Sequence, residues 1–362
     1  MLALLAGTML AASPCNAAWP LWQRYVETFI AGDGRVIDRT AADRSTSERQ
    51  AYALFFSLVA NDRALFQRVL RWTEQNLAQG YLKTTLPAWH WGKRRDGSWG
   101  VVDRNPASDA DLWLAFDLLE AGRLWSEPRY SALGQRVLAN VAARELAQVP
   151  GFGTVLLPGP SGFAHDGGYR VNPSYAPPHL LRRLAQLGAP WDAVQQSSLH
   201  MLHLFAQGGA APDWAFAKGG QLSQDPVRGR VASYDAIRVP LWVGMMPERD
   251  AALDRVAEGL FRALDAKGKL PERLDARTLE GKGDAPPGFY AALIPLAPPA
   301  AREVLTARLQ TSRKDGLYGS PPAYYDQNLI LFAQGFTESR YRFGADGSLS
   351  PAWETRCLGR AR

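Results

Sequence analysis

Two cysteines in 362 residues, Cys15 and Cys357, are too few to staple a fold, and no Cys-x-x-Cys pair offers a zinc or redox site. The histidines also fail as a metal site. His200 and His203 share a helix face, but no acidic or Cys partner stands at ligand spacing. There is no concentrated stripe of one charge. The formal charge of +6 is spread through short groups such as Lys93-Arg94-Arg95 and Arg182-Arg183 with acids between them, which argues against a nucleic-acid partner. Asp109-x-Asp111 has the form of a metal-binding pair in sugar-nucleotide transferases. Yet the chain has neither a phosphate-cradling Gly loop nor an alternating strand-helix order to accompany it. No metal or cofactor is expected.

What is present is apolar and aromatic. A hydrophobic content of 46% allows a large core, and 12 Trp with 12 Tyr supply flat rings that serve as core mass or as platforms for sugar faces. Met1 to Ala12 is an apolar run too short to span a bilayer, and it leads into Ser13-Pro14-Cys15-Asn16-Ala17-Ala18. Although it lacks a basic start, this reads as a secretory signal at 1–17, with one domain over 18–362 and export from the cytoplasm. Cleavage after Ala17 would leave Cys357 alone. Earlier cleavage would keep Cys15, and an oxidising compartment could join the two if the fold brings the chain ends together.

Helical periodicity dominates, over Ala51 to Val59, Leu65 to Leu77, Leu112 to Ala121, Tyr130 to Leu146, Ala193 to Phe205, Ala251 to Leu264, Ala300 to Leu309 and Gln327 to Ala333. Convincing strands are few. Between the helices lie long loops rich in Gly, Pro and aromatics, such as Gly80 to Gly100, Pro150 to Pro178, Gly208 to Ser233 and Leu274 to Gly288. Long loops on regular helices predict a ring of helix pairs with a cleft on one face.

Three acidic positions stand at predicted helix entrances. Ser108 reads as an N-cap, with Asp109 and Asp111 in the first turn, where the helix dipole favours negative charge. Ser45-x-x-Glu48 has the spacing of a capping box. Asp235 precedes a segment whose Pro240 is tolerable only near a helix start or at a kink. Each is explained as capping alone; together, in a helical ring, they could converge on one cleft. There, one carboxylic acid could protonate a leaving glycosidic oxygen while another carboxylate acts across the bond. Glu48 would need burial or a nearby like charge to stay protonated, and Asp109 is a candidate for that neighbour.

Ala107-Ser108-Asp109-Ala110-Asp111, with Ala115, Ala121 and Trp125 at their spacings, resembles the signature of family 8 glycoside hydrolases. The likeness extends to Thr46-Ser47-Glu48-Arg49-Gln50, Leu86-Pro87-Ala88-Trp89-His90-Trp91-Gly92, Asn172-Pro173-Ser174-Tyr175 and Ser233-Tyr234-Asp235-Ala236-Ile237-Arg238-Val239. It is nearest to the members that accompany bacterial cellulose synthases. The resemblance implies an (α/α)6 barrel that cuts internal β-1,4 linkages of cellulose with inversion. A monomer in the periplasm, with cellulose synthase subunits as candidate partners, is the further expectation. Carried over, Glu48 is the acid and Asp235 the base. Asp109 holds the sugar where it distorts, although the family convention often labels that position the nucleophile. Trp91 and Tyr175 line the glucan groove, Tyr175 also helping to place the attacking water, while Arg238 orients a carboxylate or a sugar hydroxyl. Arg49 replaces the usual Gly after the acid; its side chain is expected to point away from the cleft. It is the sole sequence support for the alternative, a catalytically weak glycan-binding accessory.

Overall fold

A computed structural model describes residues 18–265 and 267–354, so the predicted leader at 1–17, Cys15 and Cys357 lie outside the described residues. The described ends are neighbours: the Arg340 side chain donates to the Ala18 carbonyl, and its own carbonyl accepts from Ala352.

The helices are α1 (Pro20–Phe29), α2 (Ser47–Val59), α3 (Arg63–Trp72), α4 (Ser108–Leu124), α5 (Pro128–Arg144) and α6 (Pro178–Ala185). They continue as α7 (Trp191–Gly208), α8 (Arg238–Gly244), α9 (Glu258–Arg262), α10 (Pro287–Leu293), α11 (Pro299–Thr311) and α12 (Tyr324–Thr337). The even-numbered helices form the inner ring and pack in succession against one another. α2, α4, α6, α10 and α12 are backed by α3, α5, α7, α11 and α1 in turn, and α8 by a 3-10 segment, Ala251–Ala257, that leads into α9. This is the (α/α)6 barrel.

Residue pattern decides which ring a helix joins. α2, α4 and α12 are apolar nearly all round and buried along most of their length, as inner helices must be. α3 and α5 bury only a stripe, Leu65-Phe66-Val69-Leu70-Trp72 and Tyr130-Gly134-Val137-Leu138-Val141, at helical spacing. α4 and α5 approach closely because Gly122 and Gly134 lie in their interface. A Cβ on Gly122 would come within 2.0 Å of Ser131 Oγ. The barrel is filled by rings rather than hollow: Phe332 lies 5.0 Å from Tyr52, 5.1 Å from Trp113 and 5.1 Å from Trp242, centroid to centroid.

The long loops are partly ordered as short antiparallel strands. β1 (Ser45–Thr46), β2 (His90–Lys93) and β3 (Trp99–Asp103) form one sheet between the starts of α2 and α4. β4 (Leu146–Val149) pairs with β5 (Gly153–Leu156). A four-stranded sheet runs in the order β6 (Ala164–His165), β7 (Gly168–Val171), β8 (Ala215–Lys218), β9 (Gln221–Gln224).

Two caps differ from expectation. Ser45 lies in β1 and its hydroxyl donates to the Val36 carbonyl, so the Ser45–Glu48 capping box does not form and Thr46 is the N-cap of α2. Ser108 is the first residue of α4; Ala107 is the N-cap, and the buried Ser108 hydroxyl makes no side-chain hydrogen bond. In both places strand or loop pairing fixes the backbone before the helix starts.

Candidate active site

Because consecutive inner helices are joined through an outer helix running back, their N-termini open on the same end of the barrel. Glu48 is the second residue of α2 and Asp109 the second of α4, while Asp235 lies in the turns leading into α8. Tyr175 ends a 3-10 turn, Pro173–Tyr175, ahead of α6. The predicted convergence of the three carboxylates is present.

Arg238 gathers them. Its Nη1 donates to Glu48 Oε2 at 2.7 Å and to Asp109 Oδ2 at 2.9 Å, and its Nη2 to Asp235 Oδ1 at 2.6 Å. The Tyr52 hydroxyl accepts from the same Nη1 at 3.2 Å. The guanidinium side chain is only 2% exposed, whereas Glu48 and Asp235 show 19% and 29% of their side chains to solvent and Asp109 shows 3%. Two carboxylates thus reach open space, and the third is sealed beneath them. Of the two roles expected for Arg238, the geometry is that of orienting carboxylates.

Burial, and then the charge of Glu48, push the Asp109 carboxyl up to about 7, although Arg238 pulls the other way. Asp109 therefore holds a proton up to about that pH, on the same guanidinium nitrogen as Glu48. Asp111 is not part of this group. Its carboxyl and that of Glu145 are fully buried with no polar partner but one another. Burial drives Asp111 well above the carboxylate range and Glu145 up to about 8, so the pair is protonated behind Asp109.

Tyr175 faces the cluster, with Arg238 Cζ 5.5 Å from its ring centroid. Burial, followed by the charges of Asp109 and Asp235, raises its hydroxyl well above the usual phenol range, so the O–H is a donor or acceptor and not an anion. Trp91 lies on the sheet beside the start of α2, paired with Ser45 of β1. It is half-buried on β2, 5.4 Å from Trp99 and 5.5 Å from Trp72, with Arg35 Cζ 4.2 Å from its ring. The Trp89 carbonyl accepts from the Ser47 amide at the start of α2.

Arg49 is fully buried and turned from the cluster. It donates to Asp38 Oδ2 at 2.7 Å and to the Arg44 carbonyl at 3.1 Å, with its Cζ 3.5 Å over the Tyr324 ring. The sequence argument for a weakened enzyme loses its basis. Among the described residues no group of three His, Cys, Asp or Glu is arranged to hold a metal ion.

Sequence reading missed three residues. Asp213 accepts from the Ser233, Asp235 and Ala236 amides and from the Ser233 hydroxyl, shaping the turn that carries Asp235. Trp214 donates to Asp235 Oδ2 at 3.1 Å. The Tyr325 hydroxyl donates to the Tyr234 carbonyl, joining the start of α12 to the same turn.

A helical barrel whose mouth holds three converging carboxylates, two of them reaching open space, has the layout of a carboxylate-based glycoside hydrolase. The sequence profile of Glycosyl hydrolases family 8 matches residues 1–339, and the chain belongs to that family. It is 44% identical over 363 residues to an endoglucanase of Xanthomonas axonopodis pv. citri (strain 306), spanning 98% of this chain and 94% of that one. An endoglucanase of Escherichia coli (strain K12) is 42% identical, with 96% of each chain covered. Among solved structures, an endo-1,4-D-glucanase from Vibrio fischeri ES114 superposes with a TM-score of 0.86 at 38% identity, covering 93% of this chain and 99% of that one.

Proposed function

We propose that this glycoside hydrolase is an endo-β-1,4-glucanase acting with inversion on cellulose or a related glucan. The observation that carries the reading is the single buried guanidinium holding Glu48, Asp109 and Asp235 at the barrel mouth. Endoglucanase relatives over nearly the full chain support the substrate class. Glu48 protonates the leaving glycosidic oxygen. Asp235, the most exposed of the three, takes a proton from the water that attacks the anomeric carbon on the opposite face. Asp109 is too enclosed to reach that carbon as a nucleophile. It keeps its own proton up to about pH 7 and holds the sugar as it distorts. Tyr175 helps to place the water.

The setting proposed is the periplasm, where the enzyme, as a monomer, would trim or release glucan during cellulose synthesis and secretion, with synthase subunits as candidate partners. The test is hydrolysis of defined cello-oligosaccharides followed by anomer-resolved NMR. The expected result is internal cleavage with α-configured new reducing ends, nearly abolished in Glu48→Gln with its fold intact. β-configured products would overturn the inverting mechanism, and a fully active Glu48→Gln would overturn the acid assignment.

A further inference from the structure

We propose that Trp214 is a positioning residue for Asp235, and that Asp213 and Trp214 together form the cradle that aims this carboxylate at its water; the proposal rests on the function given above. Arg238 and Trp214 occupy one oxygen each. Oδ1 accepts from Arg238 Nη2 at 2.6 Å, and Oδ2 from Trp214 Nε1 at 3.1 Å. Two donors on different oxygens fix the carboxylate plane, and each oxygen keeps a second lone pair for solvent. With Arg238 alone, the group could still turn about its side-chain bonds.

The indole is itself clamped. The Phe163 ring lies parallel to it at 5.7 Å and 4°, and the Arg170 Cζ lies 4.8 Å from its centroid. Arg170 is held in turn by Asp225, with Nε–Oδ2 at 2.6 Å and Nη2–Oδ1 at 3.1 Å. Asp225 is fully buried and also accepts from the Val227 and Arg228 amides. The N–H direction is thus set by packing before substrate arrives, as an organised site requires.

The preceding residue fixes the backbone to which Asp235 belongs. The Asp213 amide donates to the Val231 carbonyl at 2.7 Å, and its Oδ1 accepts from the amides of Ser233 at 2.7 Å, Asp235 at 3.2 Å and Ala236 at 2.8 Å. Oδ2 takes the Ser233 hydroxyl at 2.5 Å. One dipeptide therefore holds both the main chain and the side chain of Asp235. A Trp needed only for packing would be replaceable by Phe; the N–H is the part that packing does not explain.

The test is steady-state hydrolysis of cellohexaose by full-length wild type, Trp214→Phe and Arg170→Met, with thermal melts of each. Trp214→Phe keeps a ring and loses the donor. Its kcat is expected to fall about tenfold with KM within about twofold of wild type, because a misaimed carboxylate affects the chemical step and not sugar binding. Arg170→Met leaves the donor and loosens the ring, so its kcat should lie between the other two. A kcat for Trp214→Phe within about twofold of wild type, or a loss that falls wholly on KM, overturns the proposal. If Trp214→Phe does not fold, Arg170→Met decides: a kcat loss at unchanged KM supports the proposal, and an unchanged kcat overturns it. Failure of the functional reading is separately visible, as a wild type that opens no β-1,4-glucan.

Discussion

Asp109→Asn should flatten the dependence of stability on pH. The Asp109 carboxyl is fully buried and stands at about 7 against an ordinary 3.8, chiefly through burial. By pH 5 the unfolded chain has released this proton, whereas the folded protein keeps it until about 7. The folded state therefore binds more protons in this window, and stability falls as pH rises through it. Two pH units at about 1.36 kcal/mol each is roughly 3 kcal/mol, an order-of-magnitude figure. With an unfolding entropy of about 2.1 cal/mol/K per residue over 362 residues, this corresponds to about 4 °C in Tm. Asparagine cannot titrate, and its amide oxygen can still accept from Arg238. Asp111 and Glu145 titrate in both proteins, and losing the Asp109 charge that raises them acts in the same direction. Melting curves at half-unit steps from pH 5 to 8 are the assay. Wild type should lose about 4 °C more than the variant across that range, while the variant loses most of its hydrolysis. Parallel Tm curves would refute the reasoning, since Asp109 would then hold no extra proton in the folded state.

Hydrolysis by the wild type should decline on the alkaline side near pH 7, where the Glu48–Asp109 cluster gives up the proton Asp109 holds; a pH profile of kcat/KM flat to pH 9 would contradict this. Arg49→Gly should not raise turnover. It should cost about 3–5 kcal/mol of stability in urea titrations, because Asp38 is left buried without its closest cation, and a much faster enzyme would show that Arg49 obstructs the cleft after all. Phe332→Ala, which removes a ring touching Tyr52, Trp113 and Trp242, should destabilise by about 3–5 kcal/mol in the same measurement, and a loss below about 1 kcal/mol would mean the barrel centre repacks freely.

Much of this site was legible in the sequence because its acids lie at helix starts, where N-terminal chemistry leaves a pattern. Ser108-Asp109 and Ser233-Tyr234-Asp235 mark α4 and the approach to α8 even though the caps themselves differ from the simple reading. Residues in loops leave no such pattern. Asp213 and Trp214 sit between α7 and β8, and nothing in their spacing relates them to Asp235, 22 and 21 positions on, since the contact depends on how the chain returns across the barrel mouth. The strands were illegible for a different reason: β1 to β9 run two to five residues each, too short for alternation to register. α6 and α10 escaped because Pro178 and Pro287, assigned to the loops, are first-turn residues that start short helices.

The charge balance at the barrel mouth explains why protons, and not further cations, complete this site. Three carboxylates meet one guanidinium, and fully ionised they would leave an excess of negative charge against a buried wall. A second arginine would satisfy that excess but would also occupy the space and the lone pairs that a sugar and a water need. Protonating Asp109 lowers the excess without adding an atom larger than hydrogen, and the protonated Asp111–Glu145 pair behind it keeps further negative charge away. The result is a cluster that keeps one proton at Asp109 up to about pH 7 beneath two carboxylates, Glu48 and Asp235, that reach open space. In the proposed inverting hydrolysis the two exposed carboxylates are the acid and the base, and the stability lost by burying Asp109 is the measurable trace of the proton held beneath them.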